Sequence, residues 1–113
     1  MDVVYYRPWG YYMTLLDEPT YKVKKIVVYI DKRLSLQYHM KRSEHWTITQ
    51  GECMVQIGDD IHKLCKNQSC YIPMGVKHRI TNIGIENVEL IETQVGTCDE
   101  NDIVRLEDDY GRI

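Results

Sequence analysis

The chain has 113 residues, 43% of them hydrophobic and 27% charged, with a formal net charge of −3. That length suits one domain around one core without disulfide staples, so residues 1–113 are read as a single domain. No apolar run reaches the roughly 18–20 residues of a membrane span, residues 1–8 lack the order of an export signal, and the acidic balance offers no basic face for nucleic acid or an anionic membrane. The expectation is a soluble, cytoplasmic domain with neither a nucleic-acid nor a membrane partner.

In chain order, the aromatic set Tyr5, Tyr6, Trp9, Tyr11 and Tyr12 comes first. Amphipathic rings of this kind suit a half-buried mouth or a dimer seam. Residues 22–30 are rich in β-branched side chains and too short for a helix. Similar strand-like runs follow at 34–39, 45–49, 53–57, 61–64, 69–72, 78–82 and 88–95. Turn signals separate them, among them Gln50-Gly51-Glu52, Gly58-Asp59-Asp60 and Lys66-Asn67-Gln68. Residues 99–112 are more polar and read as a helical turn or a closing strand. Short strands between tight turns predict an all-β sandwich or barrel. The cysteines Cys53, Cys65, Cys70 and Cys98 form no Cys-x-x-Cys pair and are read as reduced thiols packed as small apolar residues.

The chemistry concentrates at residues 34–46 and 73–82. Strand alternation puts Gln37 and His39 on one face, and a turn through residues 41–43 is expected to return Glu44 on the neighbouring strand. Pro73-Met74-Gly75 sets His78 just after a turn. Two imidazoles, a carboxylate and an amide oxygen can surround a divalent metal.

The spacings resemble the two cupin motifs, G-x5-H-x-H-x4-E-x6-G and G-x5-P-x-G-x2-H-x3-N. The first reads here Asp31, Gln37, His39, Glu44 and Gly51; the second reads Asn67, Pro73, Gly75, His78 and Asn82. Asp31 and Asn67 stand where the motifs have turn glycines, a position both residue types tolerate because they accept left-handed backbone. Gln37 replaces the first histidine, and Lys41 stands where relatives often add another. With Arg7-Pro8-Trp9-Gly10, Glu44-His45-Trp46, Tyr71-Ile72-Pro73 and Asp102-Ile103-Val104-Arg105 in the same order, the chain is similar to the type II mannose-6-phosphate isomerases. That module commonly accompanies a mannose-1-phosphate guanylyltransferase, and no such region lies within these residues.

The resemblance implies a single cupin barrel, a jelly roll or double-stranded β-helix. It implies interconversion of mannose 6-phosphate and fructose 6-phosphate through a cis-enediol, and often a homodimer paired through edge strands. Gln37, His39, Glu44 and His78 would hold the divalent metal, zinc as first choice and manganese, cobalt or iron as alternatives. The proton transfer needs a base, for which His45 and Glu92 are the candidates; alternation turns His45 away from the metal, whereas apolar neighbours could raise the pKa of an inward Glu92. For the phosphate the candidates are Arg42, Lys22, Lys24 and Arg79, with Arg105 and Arg112 following. Two other readings compete: a noncatalytic sugar-phosphate binder, and a non-haem Fe(II) oxygenase built on His39, Glu44 and His78 alone.

Overall fold

The computed structural model describes residues 3–113. They form eleven strands: β1 (Val4–Arg7), β2 (Gly10–Asp17), β3 (Tyr21–Val28), β4 (Leu36–Tyr38), β5 (Arg42–Gln50), β6 (Glu52–Ile57), β7 (Asp60–Cys65), β8 (Ser69–Ile72), β9 (His78–Asn82), β10 (Val88–Gly96) and β11 (Val104–Glu107). These make two antiparallel sheets, in the orders β1-β2-β3-β10-β5-β8 and β11-β4-β9-β6-β7. Every run predicted as a strand is one, and the polar end closes the second sheet as β11 rather than as a helical turn. The first two strands were not anticipated: Pro8 and Gly10 break the aromatic segment into pieces that pair as a hairpin, Tyr5 opposite Tyr12 and Tyr6 opposite Tyr11.

Period-two alternation gives each sheet one inner face. From β5 that face receives Trp46 and Ile48, from β6 Cys53 and Val55, from β9 Ile80 and from β10 Val88 and Leu90; with Val28 and Ile72 they fill the space between the sheets. Cys53 packs there as a small apolar group, and burial pushes its thiol up to about 12. All four cysteines are free thiols. Asn82, from the second motif, is also inside; its amide donates to Val28 O at 3.0 Å and Glu86 O at 2.9 Å, tying β9 to the opposite sheet. Asp31 (φ 62°) and Asn67 (φ 73°) do adopt left-handed backbone, as their place in the motifs requires, and no other described non-glycine residue does.

One connection differs from expectation in a way that shapes the site. The chain does not turn through 41–43 to bring Glu44 beside Gln37. It leaves the second sheet after β4 and enters the first at Arg42, so Glu44 faces Gln37 across the barrel. Asp102 fixes this crossing by accepting from the backbone N–H of Met40 and of Lys41, both at 2.9 Å.

Candidate metal centre and cavity

Cross-strand neighbours share a face, so register lists what faces the interior. In the first sheet, one row runs Lys22, Gln94, Glu44, Ile72 and the next Lys24, Glu92, Trp46, Cys70. In the second sheet Arg105 pairs with Gln37, and Gln37 with His78. His39, two residues beyond Gln37, is turned the same way. The two faces enclose a cavity of about 220 Å³ whose walls include Gln37, His39, Glu44 and Glu92.

His39, Glu44 and His78 offer donor atoms that all lie within 4.8 Å of one another, and all three are buried. Glu44 Oε2 is 3.2 Å from His39 Nε2, and Glu44 Oε1 is 3.7 Å from His78 Nε2. The other ring nitrogens are committed: His39 Nδ1 donates to Asp102 O at 2.7 Å and His78 Nδ1 to Val76 O at 3.0 Å. A ring that donates from Nδ1 while neutral presents a bare Nε2 lone pair. Burial holds both rings neutral, lowering the pKa of His78 and, with the Arg42 charge adding to it, that of His39 to about 4. His78 Nε2 is buried with no hydrogen-bond partner among the described residues, an unusual state for such an atom. The partnerless His78 Nε2, the His39 Nε2 lone pair, which accepts from Arg42 Nη2 at 3.2 Å, and the anionic Glu44 carboxylate together fit a divalent cation. Gln37 lines the same cavity, its amide oxygen accepting from Ser35 Oγ at 2.7 Å.

Glu44 is further held by Trp46 Nε1 on Oε1 and Arg42 Nε on Oε2, both at 3.0 Å. Glu92, one strand away, is pushed up to about 8, first by burial and then by the Glu44 charge beside it. Gln94 Nε2 approaches it at 3.4 Å.

The structure separates the remaining candidates. His45 is exposed on the outer face of β5, its ring 4.8 Å from that of Tyr71; it does not reach the cavity, because it alternates with Glu44 and Trp46, which do. Arg79 is likewise turned away from His78 and pins the chain, donating to Leu34 O and to Glu107. It is a structural clamp, not a cavity residue. Lys22 and Lys24 face inward but share one carboxylate oxygen, Glu100 Oε1, at 3.4 and 2.5 Å. Arg42 reaches the cavity, where its guanidinium is spent on Glu44, His39 Nε2 and Asp99 O. Arg7, Arg105 and Arg112 also line the cavity. Of these, Arg7 stood out in the sequence only within its Arg-Pro-Trp-Gly run.

A family model described as mannose-6-phosphate isomerase C-terminal matches residues 1–108. The chain is 48% identical over 108 residues to the xanthan biosynthesis protein XanB of Xanthomonas campestris pv. campestris strain B100, covering 95% of this chain and 23% of that protein. It is 45% identical to the alginate biosynthesis protein AlgA of Pseudomonas aeruginosa, over 95% of this chain and 22% of that one. With the mannose-1-phosphate guanylyltransferase of Escherichia coli K12 the figures are 42%, 96% and 23%. The chain thus spans less than a quarter of the length of these relatives. Among solved structures, the capsular polysaccharide assembling protein CapF of Staphylococcus aureus superposes with a TM-score of 0.84 at 19% identity, over 95% of this chain and 34% of that one. Oxalate decarboxylase of Bacillus subtilis gives 0.84 at 18% identity, over 93% and 30%. The fold is the cupin barrel, shared also with a Schizosaccharomyces pombe Cnp3 cupin domain at a TM-score of 0.76, 18% identity and coverage of 84% and 77%.

Proposed function

The chain belongs to the mannose-6-phosphate isomerase C-terminal family, and from that premise we propose that it interconverts mannose 6-phosphate and fructose 6-phosphate. The observation that carries the reading is that the His39–Glu44–His78 donor set opens, through His39 and Glu44, onto the cavity that Glu92 also lines, a buried carboxyl pushed up to about 8. A divalent metal, zinc as first choice, held by those three residues and Gln37 would supply Lewis acidity toward the sugar oxygens at C1 and C2.

The rest of the work falls to side chains. Moving a proton between C2 and C1 calls for a group that both takes and yields it near neutral pH. Glu92 is that group in this reading, since burial and the Glu44 charge bring its pKa to the working range. Trp46 and Arg42 hold the Glu44 carboxylate in place. Glu44 and Glu92 are both buried, which strengthens each of these polar contacts. The same reading places the protein in the cytoplasm as a homodimer, joined through the β1 edge where Tyr5 and Tyr6 lie exposed.

The test is a coupled assay for fructose 6-phosphate from mannose 6-phosphate, using metal-stripped protein refilled in turn with Zn, Mn, Co or Fe. Turnover with at least one metal supports the isomerase. No turnover with any of them, alongside tight sugar-phosphate binding, overturns it in favour of a noncatalytic binder.

A further inference from the structure

The basic residues around the cavity differ in how far their charge is already answered. Lys22 and Lys24 share Glu100, which they hold below the ordinary carboxylate range against the upward push of its burial. Arg42 is matched by Glu44. Arg105 is different. Its Nε is buried without a hydrogen-bond partner, and no carboxylate among the described residues pairs with it. Arg7 and Arg112 stand close enough that, after desolvation, their positive charges help depress its pKa. Asp108, the carboxylate whose charge acts on Arg105, is already gripped by Arg112 through Nε at 2.8 Å and Nη2 at 2.9 Å. Among the described residues Arg7 donates to Tyr6 O and pairs with no carboxylate, its guanidinium lying 5.4 Å from the centre of the Tyr12 ring.

Three guanidiniums set against one carboxylate leave two positive charges in excess within this group of cavity-lining residues. Like charges are gathered at a cost unless something answers them. A phosphate monoester, carrying about −1.5 to −2 at neutral pH and several acceptor oxygens, matches that excess in both charge and hydrogen bonding. Register fixes the place. Arg105, Gln37 and His78 are successive partners across β11, β4 and β9, so Arg105 faces the same interior as the metal donors, two strand spacings or roughly 10 Å from His78. That separation suits a substrate whose reacting carbons and phosphate sit at opposite ends of a short chain.

We infer that Arg105, flanked by Arg7 and Arg112, anchors the phosphate of the substrate. The inference deepens the isomerase reading and depends on it for the identity of the sugar alone. Lys24 and Arg42 then shape the cavity while being charge-matched within the protein.

The experiment is calorimetric titration of zinc-loaded wild type, Arg105→Gln and Arg7→Gln with mannose 6-phosphate, inorganic phosphate and unphosphorylated mannose, together with the isomerase assay. Lys63→Gln, on the far strand β7, is the control. Losing charged hydrogen bonds is expected to weaken mannose 6-phosphate and phosphate binding about 10- to 100-fold. KM should rise by a similar factor with kcat nearly unchanged, since the phosphate is distant from the reacting carbons. Mannose binding should not move. If Arg105→Gln fails to fold, the exposed Arg7→Gln carries the test with an expected loss of several-fold.

Unchanged phosphate affinity in both arginine variants overturns the inference and leaves the isomerase standing. Arginine-dependent binding without turnover in any metal overturns the isomerase and leaves the anchor. Failure of folded wild type to bind either mannose 6-phosphate or phosphate overturns both.

Discussion

Glu92 on β10 and Glu44 on the adjacent β5 are diagonal neighbours on one buried wall, and the charge of Glu44, after burial itself, keeps Glu92 protonated well beyond the ordinary carboxylate range. The arrangement makes stability depend on pH in a definite way. Glu92 rises from an ordinary 4.5 to about 8, so its contribution is present below 4.5 and is lost as pH climbs toward 8. His39 and His78 shift the other way from an ordinary 6.5, so theirs is present above 6.5 and lost as pH falls from there. Metal-stripped protein should therefore be most stable near pH 6.5. Glu92→Gln should abolish the decline on the alkaline side and keep the acid one. Urea unfolding at half-unit intervals from pH 5 to 9 measures this, and parallel curves for wild type and variant above pH 6.5 would refute it.

The orphaned His78 Nε2 and the Ser35–Gln37 contact predict graded losses of metal. His78→Ala removes a donor outright and should cost zinc affinity at least about 100-fold. Ser35→Ala only releases the Gln37 amide and should cost about tenfold, in line with other outer partners of metal sites. Competition with a chromophoric chelator gives both values, while far-ultraviolet circular dichroism checks that the barrel survives. Equal affinities for wild type and His78→Ala would remove the metal from the proposed mechanism. An effect of Ser35→Ala but none of Gln37→Ala would mean that Gln37 does not face the ion.

What could be read beforehand follows the range of the interactions involved. Strand alternation is local, so the runs that became β3 to β10 were visible, and so was the inward face shared by Gln37 and His39. The left-handed turns at Asp31 and Asn67 followed from motif position alone. The crossing between sheets after β4 was not visible, because residues 41–43 look equally like a hairpin turn; the Asp102 carboxylate that settles it lies about 60 positions away. The cations were the hardest. Whether Lys24 or Arg79 is free depends on Glu100 and Glu107, brought up by the fold from the carboxyl-terminal segment, and Arg105 depends on its near neighbour Asp108, which Arg112 holds. Arg79 and Arg105 therefore looked alike as phosphate candidates, yet Arg79 is clamped and Arg105 Nε has no partner among the described residues.

His45 tests the alternation directly. Its ring lies outside the barrel against Tyr71, with Glu44 and Trp46 on either side pointing in. His45→Ala should leave kcat within about twofold of wild type and leave the pH profile unmoved, since an exposed ring away from the cavity neither binds substrate nor shifts the groups that do. Glu92→Gln should lower kcat at least about 100-fold, the usual contribution of a positioned acid or base. Should His45→Ala instead produce the large loss and Glu92→Gln the small one, the proton-transfer role would belong outside the cavity described above.

The left-handed turn at Asn67 offers a test that involves no ligand. Its backbone N–H donates to Ile48 O at 2.8 Å, while Gln68 closes the same turn with its own N–H on Cys65 O at 3.0 Å. The turn thus joins β7 to β8 with φ at 73°. Asparagine accepts this region at small cost, and glycine at none, whereas a β-branched side chain crowds the adjoining carbonyl. Asn67→Val should therefore destabilise the fold by about 1–2 kcal/mol. Asn67→Gly should stay near neutral, because the strain it relieves is offset by greater freedom of the unfolded chain. Denaturant midpoints of the three proteins decide it. A valine variant as stable as wild type would mean that the turn relaxes to negative φ and that the motif position does not require left-handed backbone.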